Sequence, residues 1–185
     1  MAGDVLGADP AIRAAWSRVR LLILDVDGVL TDGGIYLGAN GAEFKRFDVK
    51  DGFGIAQWRR AGGLVAMLTG RQGEVVEARA RELSIDAVIQ GSRDKGADAV
   101  ALCRRFGIDP TAAIMVGDDL PDLSAFAVCG CTAAVADATP AVRAAAQVVT
   151  LARGGCGAVR EVIEALLGSR SEGIVAPGVP DGSVS

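Results

Sequence analysis

Leu21-Leu-Ile-Leu-Asp-Val-Asp-Gly-Val-Leu-Thr-Asp32 opens with four consecutive aliphatic residues and then delivers two carboxylates, Asp25 and Asp27. Such a run reads as a strand buried on both faces, the pattern of the middle of a parallel sheet. Side chains alternate along an extended chain, so the two acids start on one side, and Gly28 frees the backbone to turn away. In an open α/β sheet the carboxyl ends of the strands are where ligands bind. Two acids held together there repel each other unless a cation or a proton offsets the charge.

Downstream, Asn40-Gly41 between two short extended runs signals a hairpin, so a flap of residues 33–48 is expected directly after the acidic turn. Beyond it, aliphatic runs at Leu64–Leu68, Ala87–Ile89, Ala113–Val116, Thr132–Val135 and Gln147–Leu151 read as strands. Helices are expected over about 52–61, 73–83, from Lys95, from Pro121, after Pro140 and over 158–167. Strands and helices alternating at this spacing predict one doubly wound, Rossmann-like α/β domain with a mainly parallel sheet. It spans 21–167, between an Ala-rich N-terminal arm (1–20) and a Gly/Pro/Ser-rich tail (168–185) expected to be flexible.

The 185 residues suffice for one full core, and with 50% hydrophobic but 4% aromatic residues that core is aliphatic. A net charge of −4 and no basic tract argue against a nucleic-acid surface. No apolar run reaches membrane-spanning length and no signal-peptide pattern is present, so a soluble, cytoplasmic protein is expected. Four cysteines without a CxxC pair read as reduced thiols. Histidine is absent, which removes Ser-His-Asp and Cys-His catalysis and leaves carboxylates and lysine to handle protons.

Four strand ends carry polar groups that can converge: Asp25/Asp27, Thr69, Lys95 and Asp118/Asp119. Singly each has an ordinary explanation as a cap or a solvated charge. Together, three carboxylates suit a hard divalent cation of the Mg²⁺ type. A hydroxyl, backbone N–H groups and an ammonium suit the oxygens of a phosphoryl group.

Asp25-Val-Asp27-Gly-Val-Leu-Thr-Asp, Thr69-Gly-Arg, Lys95 and Gly117-Asp-Asp119-x-x-Asp122 resemble, in order, the four motifs of the haloacid-dehalogenase-like phosphatases. The resemblance covers about residues 20–167. More narrowly, Asp-Gly-Val-Leu-Thr-Asp-Gly, the flap, Val49-Lys-Asp-Gly-Phe-Gly-Ile55 and Gly154-Gly-Cys-Gly-Ala-Val-Arg-Glu161 are similar to the capless 3-deoxy-D-manno-octulosonate-8-phosphate (KDO-8-phosphate) phosphatase type. The resemblance implies that Asp25 is the nucleophile and Asp27 the general acid and base. It implies Mg²⁺ on Asp25, the Asp27 backbone carbonyl and Asp118, with Asp119 and Asp122 around its water shell. Thr69 and the Gly70 amide then hold phosphoryl oxygens, Lys95 neutralises charge, and Asp122 orients Lys95.

For the substrate, Arg71 and Arg79 are eight residues apart and share a face if the helix begins early enough. The resemblance implies that they meet an anionic sugar acid. It also implies a homotetramer whose neighbours cover the pocket. Lys50 and Asp51, directly after the flap, are candidates to face a neighbouring subunit's site, and the turn Gly154–Gly157 with Arg160 to close over an active site; the flap's apolar Ile35, Tyr36, Leu37 and Phe44 fit such burial or else cover their own core. Asp137-Ala-Thr-Pro140 stands where some relatives carry a histidine, and nothing basic replaces it.

Competing readings are a nonulosonate (sialic-acid-type) 9-phosphate phosphatase, a phospho-accepting receiver domain, a metal-free dehalogenase and an idle scaffold subunit. The early Asp-x-Asp with a flap behind it speaks against a receiver. The intact acids speak against a scaffold.

Overall fold

A computed structural model describes residues 9–172 of the protein. Six parallel strands form the central sheet, beginning with β1 (Leu21–Leu24); the next two strands in the chain, β2 (Tyr36–Leu37) and β3 (Glu43–Phe44), pair only with each other, in the flap. The sheet proper continues with β4 (Leu64–Leu68), β5 (Ala87–Ile89), β6 (Ala113–Gly117), β7 (Cys131–Ala134) and β8 (Val148–Val149), in the spatial order β5-β4-β1-β6-β7-β8. All four residues of β1 are fully buried, because both of its edges are paired, Leu21 with Leu64 on one side and Ala113 on the other. The chain winds from β1 out to β5 and then returns to β6. The crevice at the carboxyl ends of β1 and β6 is therefore the topological switch point.

The helices are α1 (Pro10–Trp16), α2 (Val49–Arg60), α3 (Glu74–Glu82), α4 (Lys95–Phe106), α5 (Leu123–Phe126), α6 (Pro140–Ala145) and α7 (Ala158–Glu172). The N-terminal segment is docked, since Trp16 and Val19 are fully buried in the core. At the other end α7 runs past Leu167 to Glu172, with Leu166 and Ser169 buried beneath it. The expected tail beyond Glu172 lies outside the described residues.

The flap is a two-stranded antiparallel ribbon in which Tyr36 pairs with Phe44. Gly41 takes a positive φ of 78° at its turn, as the Asn-Gly signal requires. Its base is tied down by a bridge between Thr31 and Phe47.

Asp51 departs from the expectation that it faces a neighbouring pocket. Asp51 points inward and is 1% exposed. Its carboxylate accepts hydrogen bonds from the backbone N–H of Gly157 (3.3 Å) and Arg160 (2.8 Å). It thereby caps α7 across the packed α2–α7 pair, where an acid meets the positive end of a helix.

Candidate active site

Each motif reaches the crevice for a local reason. After β1, residues Val26–Leu30 form a single wide turn in which Gly28 adopts φ 96°. A Cβ at Gly28 would lie 2.1 Å from Asp118 Oδ2, so only glycine allows the β1 and β6 loops to approach this closely. The Thr31 hydroxyl ties the turn, donating to the Val26 carbonyl (3.2 Å) and accepting from the N–H groups of Gly28 and Gly33. Thr69, at the end of β4, is buried, and its hydroxyl accepts from the Arg71 N–H at 3.2 Å.

A cavity of about 240 Å³ results, lined by Asp25, Asp27, Thr69, Gly70, Arg71, Lys95, Asp118, Asp119 and Asp122, among others. Nine of the twelve sequence-selected site residues therefore meet at one place. Lys95 Nζ lies 2.8 Å from Asp25 Oδ1 and 2.5 Å from Asp122 Oδ1. Asp122 is fully engaged. Its other oxygen accepts from the backbone N–H groups of Asp118 (2.9 Å) and Asp119 (3.2 Å). Asp119 caps the following turn by accepting from Leu120 N–H at 2.8 Å.

Carboxylate oxygens of Asp25, Asp118 and Asp122 lie within 4.8 Å of one another. Because lysine and two amides already occupy Asp122, a cation in the crevice is left with Asp25 and Asp118. Asp118 Oδ1 is buried without a hydrogen-bond partner, an acceptor waiting for a cation. The electrostatics agree. Burial pushes Asp118 up to about 8, with the Asp25 and Asp122 charges adding to the effect. Burial likewise raises Asp25 to about 6, against the pull of Lys95. Burial also works against the charge on Lys95, but Asp25 and Asp122 outweigh it and hold its pKa above the ordinary value.

The sign of the pH effect follows. With Asp118 at about 8 and Asp25 at about 6, both above the usual 3.8, the metal-free fold holds protons that the unfolded chain has released. Their contribution to stability is complete below about pH 4 and is lost as pH rises toward about 8. A divalent cation competes with those protons, so its stabilising shift in Tm should be larger near pH 8 than near pH 5.5. Melting curves with Mg²⁺ and with EDTA at both pH values check this. Equal shifts would contradict it.

The remaining three residues lie elsewhere in the protomer. Arg71 and Arg79 do not share a helix face, because α3 begins only at Glu74 and Arg71 belongs to the loop before it. Arg79 turns away, stacking over Phe47 at 5.3 Å and donating to the Asp48 carbonyl at 3.3 Å. Arg160 lies over Phe53 at 5.1 Å and pairs with Glu164 at 2.7 Å. Lys50 is exposed at the start of α2. The turn at Gly154 packs on its own protomer's acidic loop, where a Cβ would fall 1.7 Å from the Gly28 carbonyl. Asp137 serves that turn by accepting from Gly154 N–H at 2.9 Å.

Two flap residues reach the site without having been selected from sequence. Lys45 ion-pairs with Asp27 Oδ1, and Glu43 lies 3.0 Å from both Lys45 and Arg71. Strand alternation sets positions 43 and 45 on the face opposite Phe44, but charges in a short flap read as solvated.

Comparison with known proteins agrees with the geometry. A haloacid dehalogenase-like hydrolase family model matches residues 54–130. The 3-deoxy-D-manno-octulosonate 8-phosphate phosphatase KdsC of Escherichia coli (strain B / BL21-DE3) is 44% identical over 156 residues, covering 84% of this chain and 83% of that protein. The Moraxella catarrhalis 3-deoxy-D-manno-octulosonate 8-phosphate phosphatase, solved with magnesium, phosphate and KDO, superposes with a TM-score of 0.85 at 38% identity, over 88% of this chain and 93% of that one. The cobalt-bound phosphatase YrbI of Haemophilus influenzae gives 0.83 at 37% identity, over 85% and 92%. With the acid cluster, the parallel sheet and this likeness along most of its length, the chain belongs to the 3-deoxy-D-manno-octulosonate 8-phosphate phosphatase family of the haloacid dehalogenase-like hydrolases.

Proposed function

We propose that the chain hydrolyses the phosphate monoester of 3-deoxy-D-manno-octulosonate 8-phosphate, with Mg²⁺, through an aspartyl-phosphate on Asp25. The observation that carries this reading is the buried Asp25–Lys95–Asp122 array beside the unpartnered oxygen of Asp118. Asp25, Asp118 and the Asp27 backbone carbonyl would hold Mg²⁺, which when bound neutralises charge on the phosphoryl oxygens. Lys95 holds Asp25 ionised and aimed for attack on phosphorus. Thr69 and the Gly70 amide bind phosphoryl oxygens opposite. Asp27 protonates the departing sugar oxygen and then takes a proton from the water that frees Asp25. Arg71, in the same cavity, offers a fork to the substrate carboxylate. A groove of about 530 Å³ continues past Gly70, Lys95 and Pro121 and leaves room for the sugar.

The test is kcat/KM across sugar-acid phosphates with Mg²⁺. The octulosonate 8-phosphate should lead a nonulosonate 9-phosphate by about tenfold or more. A faster nonulosonate would overturn the substrate assignment. Activity surviving EDTA, or a stable phosphoprotein without steady phosphate release, would overturn the phosphatase reading.

The assembly in this reading is a homotetramer. Leu37 is 70% exposed, Val49 82% and Phe44 60%, an apolar surface on the flap and the start of α2 that a neighbour would cover. Arg79, Lys50 and Arg160 lie outside their own pocket, so their contacts with substrate would be made in another protomer's. Leu37→Glu should dissociate the assembly in light scattering and lower kcat/KM. A variant that stays tetrameric and fully active would exclude the flap as the interface. The cytoplasm is the compartment that suits unpaired Cys103, Cys129, Cys131 and Cys156. Among the described residues no helix is long and apolar enough to cross a membrane.

A further inference from the structure

The flap delivers a cation to Asp27. Lys45 is only 2% exposed in its side chain, a costly place for an ammonium unless acids surround it. Two do: Asp27 through Oδ1, and Glu43 through Oε1 at 3.0 Å. Glu43 is shared, its other oxygen lying 3.0 Å from Arg71 Nη2. Asp27 Oδ2, by contrast, is buried with no hydrogen-bond partner, the nearest cation being Arg71 Nε at 3.9 Å. One oxygen of the carboxylate is thus clamped, and the other has no partner, in a residue that lines the cavity.

We propose that Lys45 is a positioning residue that holds Asp27 by Oδ1 so that Oδ2 meets the leaving oxygen of the substrate. This role rests on the phosphatase reading above and deepens it. In the first step an Asp25 oxygen lone pair forms a bond to phosphorus as the bond from phosphorus to the sugar oxygen breaks. That oxygen keeps the electron pair and takes the proton from Asp27 Oδ2. Lys45 gives up no proton. Its contribution is orientation, so in this first step, which kcat/KM reports, it matters only where the leaving group needs a proton to depart.

The dependence on leaving group separates this role from a latch that merely keeps the flap shut. Lys45→Met and Lys45→Arg are assayed with Mg²⁺ on 3-deoxy-D-manno-octulosonate 8-phosphate, an alkyl ester, and on p-nitrophenyl phosphate, whose phenolate departs unprotonated. For Lys45→Met, kcat/KM on the alkyl ester should fall about 100-fold, with kcat/KM on the aryl ester within about threefold. Lys45→Arg, which keeps the cation, should recover most of the loss. Equal losses of kcat/KM on both esters, or no loss on the alkyl ester, would overturn the proposal. If Lys45→Met does not fold, the ratio of alkyl to aryl kcat/KM in Glu43→Gln, which frees Lys45 from its second acid, decides in its place: a lowered ratio supports the role and an unchanged ratio overturns it. Wild-type protein that releases phosphate from neither ester would overturn the phosphatase reading and this role together. A wild type active on both, with a uniform loss in Lys45→Met, removes only the role of Lys45.

Discussion

Asp25→Asn should abolish turnover, lowering kcat by roughly 10⁴-fold or more, because an amide cannot form and release the phosphoryl ester that a carboxylate can. The effect should be on chemistry and not on folding. Asp25 is 5% exposed and sits among Asp118, Asp122 and Lys95. Removing its charge leaves Lys95 still paired with Asp122 at 2.5 Å and relieves repulsion on Asp118. The metal-free variant should therefore melt no lower than the metal-free wild type, while its response to Mg²⁺ weakens. Steady-state assays with melting curves check both halves. A variant that keeps more than about a tenth of wild-type kcat would remove Asp25 from the reaction.

Lys95→Met should have the second largest effect, and here stability and activity fall together. Lys95 lies between two acids whose side chains are 8% and 1% exposed. Taking away one partner of a buried ionic group strands the others and costs about 3–5 kcal/mol. Asp25 and Asp122 would then face each other uncompensated, and the Asp25 pKa, already raised to about 6, would climb further. A protonated nucleophile attacks poorly, so kcat should drop by roughly 10³-fold even where the protein stays folded. Denaturant unfolding and kcat, measured on one preparation with and without Mg²⁺, test the claim. A melting point and kcat both near wild type would show that Lys95 is a bystander.

Much of this was legible in the sequence, for a physical reason. A strand buried on both faces has to be aliphatic, and the polar residue that follows it stands out. That is how Leu21–Leu24, Leu64–Leu68 and Ala113–Gly117 announced both their place in the sheet and the acids and threonine at their ends. Contacts that close only in three dimensions were harder to read. Asp51 looks like any acid in the first turn of a helix, yet it caps α7 more than 100 residues later in the chain. Arg71 and Arg79 have the spacing of two helical turns, but the helix starts too late for that spacing to apply. Glu43 and Lys45 sit in a flap whose apolar residues face outward, so the inward direction of its charges shows only once the ribbon folds over Asp27. Gly168 suggested the end of a helix, whereas α7 carries on to Glu172 because Leu166 and Ser169 have a surface to bury against.

The covalent step is the centre of the account, and it can be caught directly. Protein mixed with the octulosonate 8-phosphate and Mg²⁺, quenched in acid within a turnover and digested in acid with pepsin, should yield a peptide that contains Asp25 and carries one phosphoryl group on it. Phosphate release with no phosphorylated form of that peptide at any quench time would contradict the account.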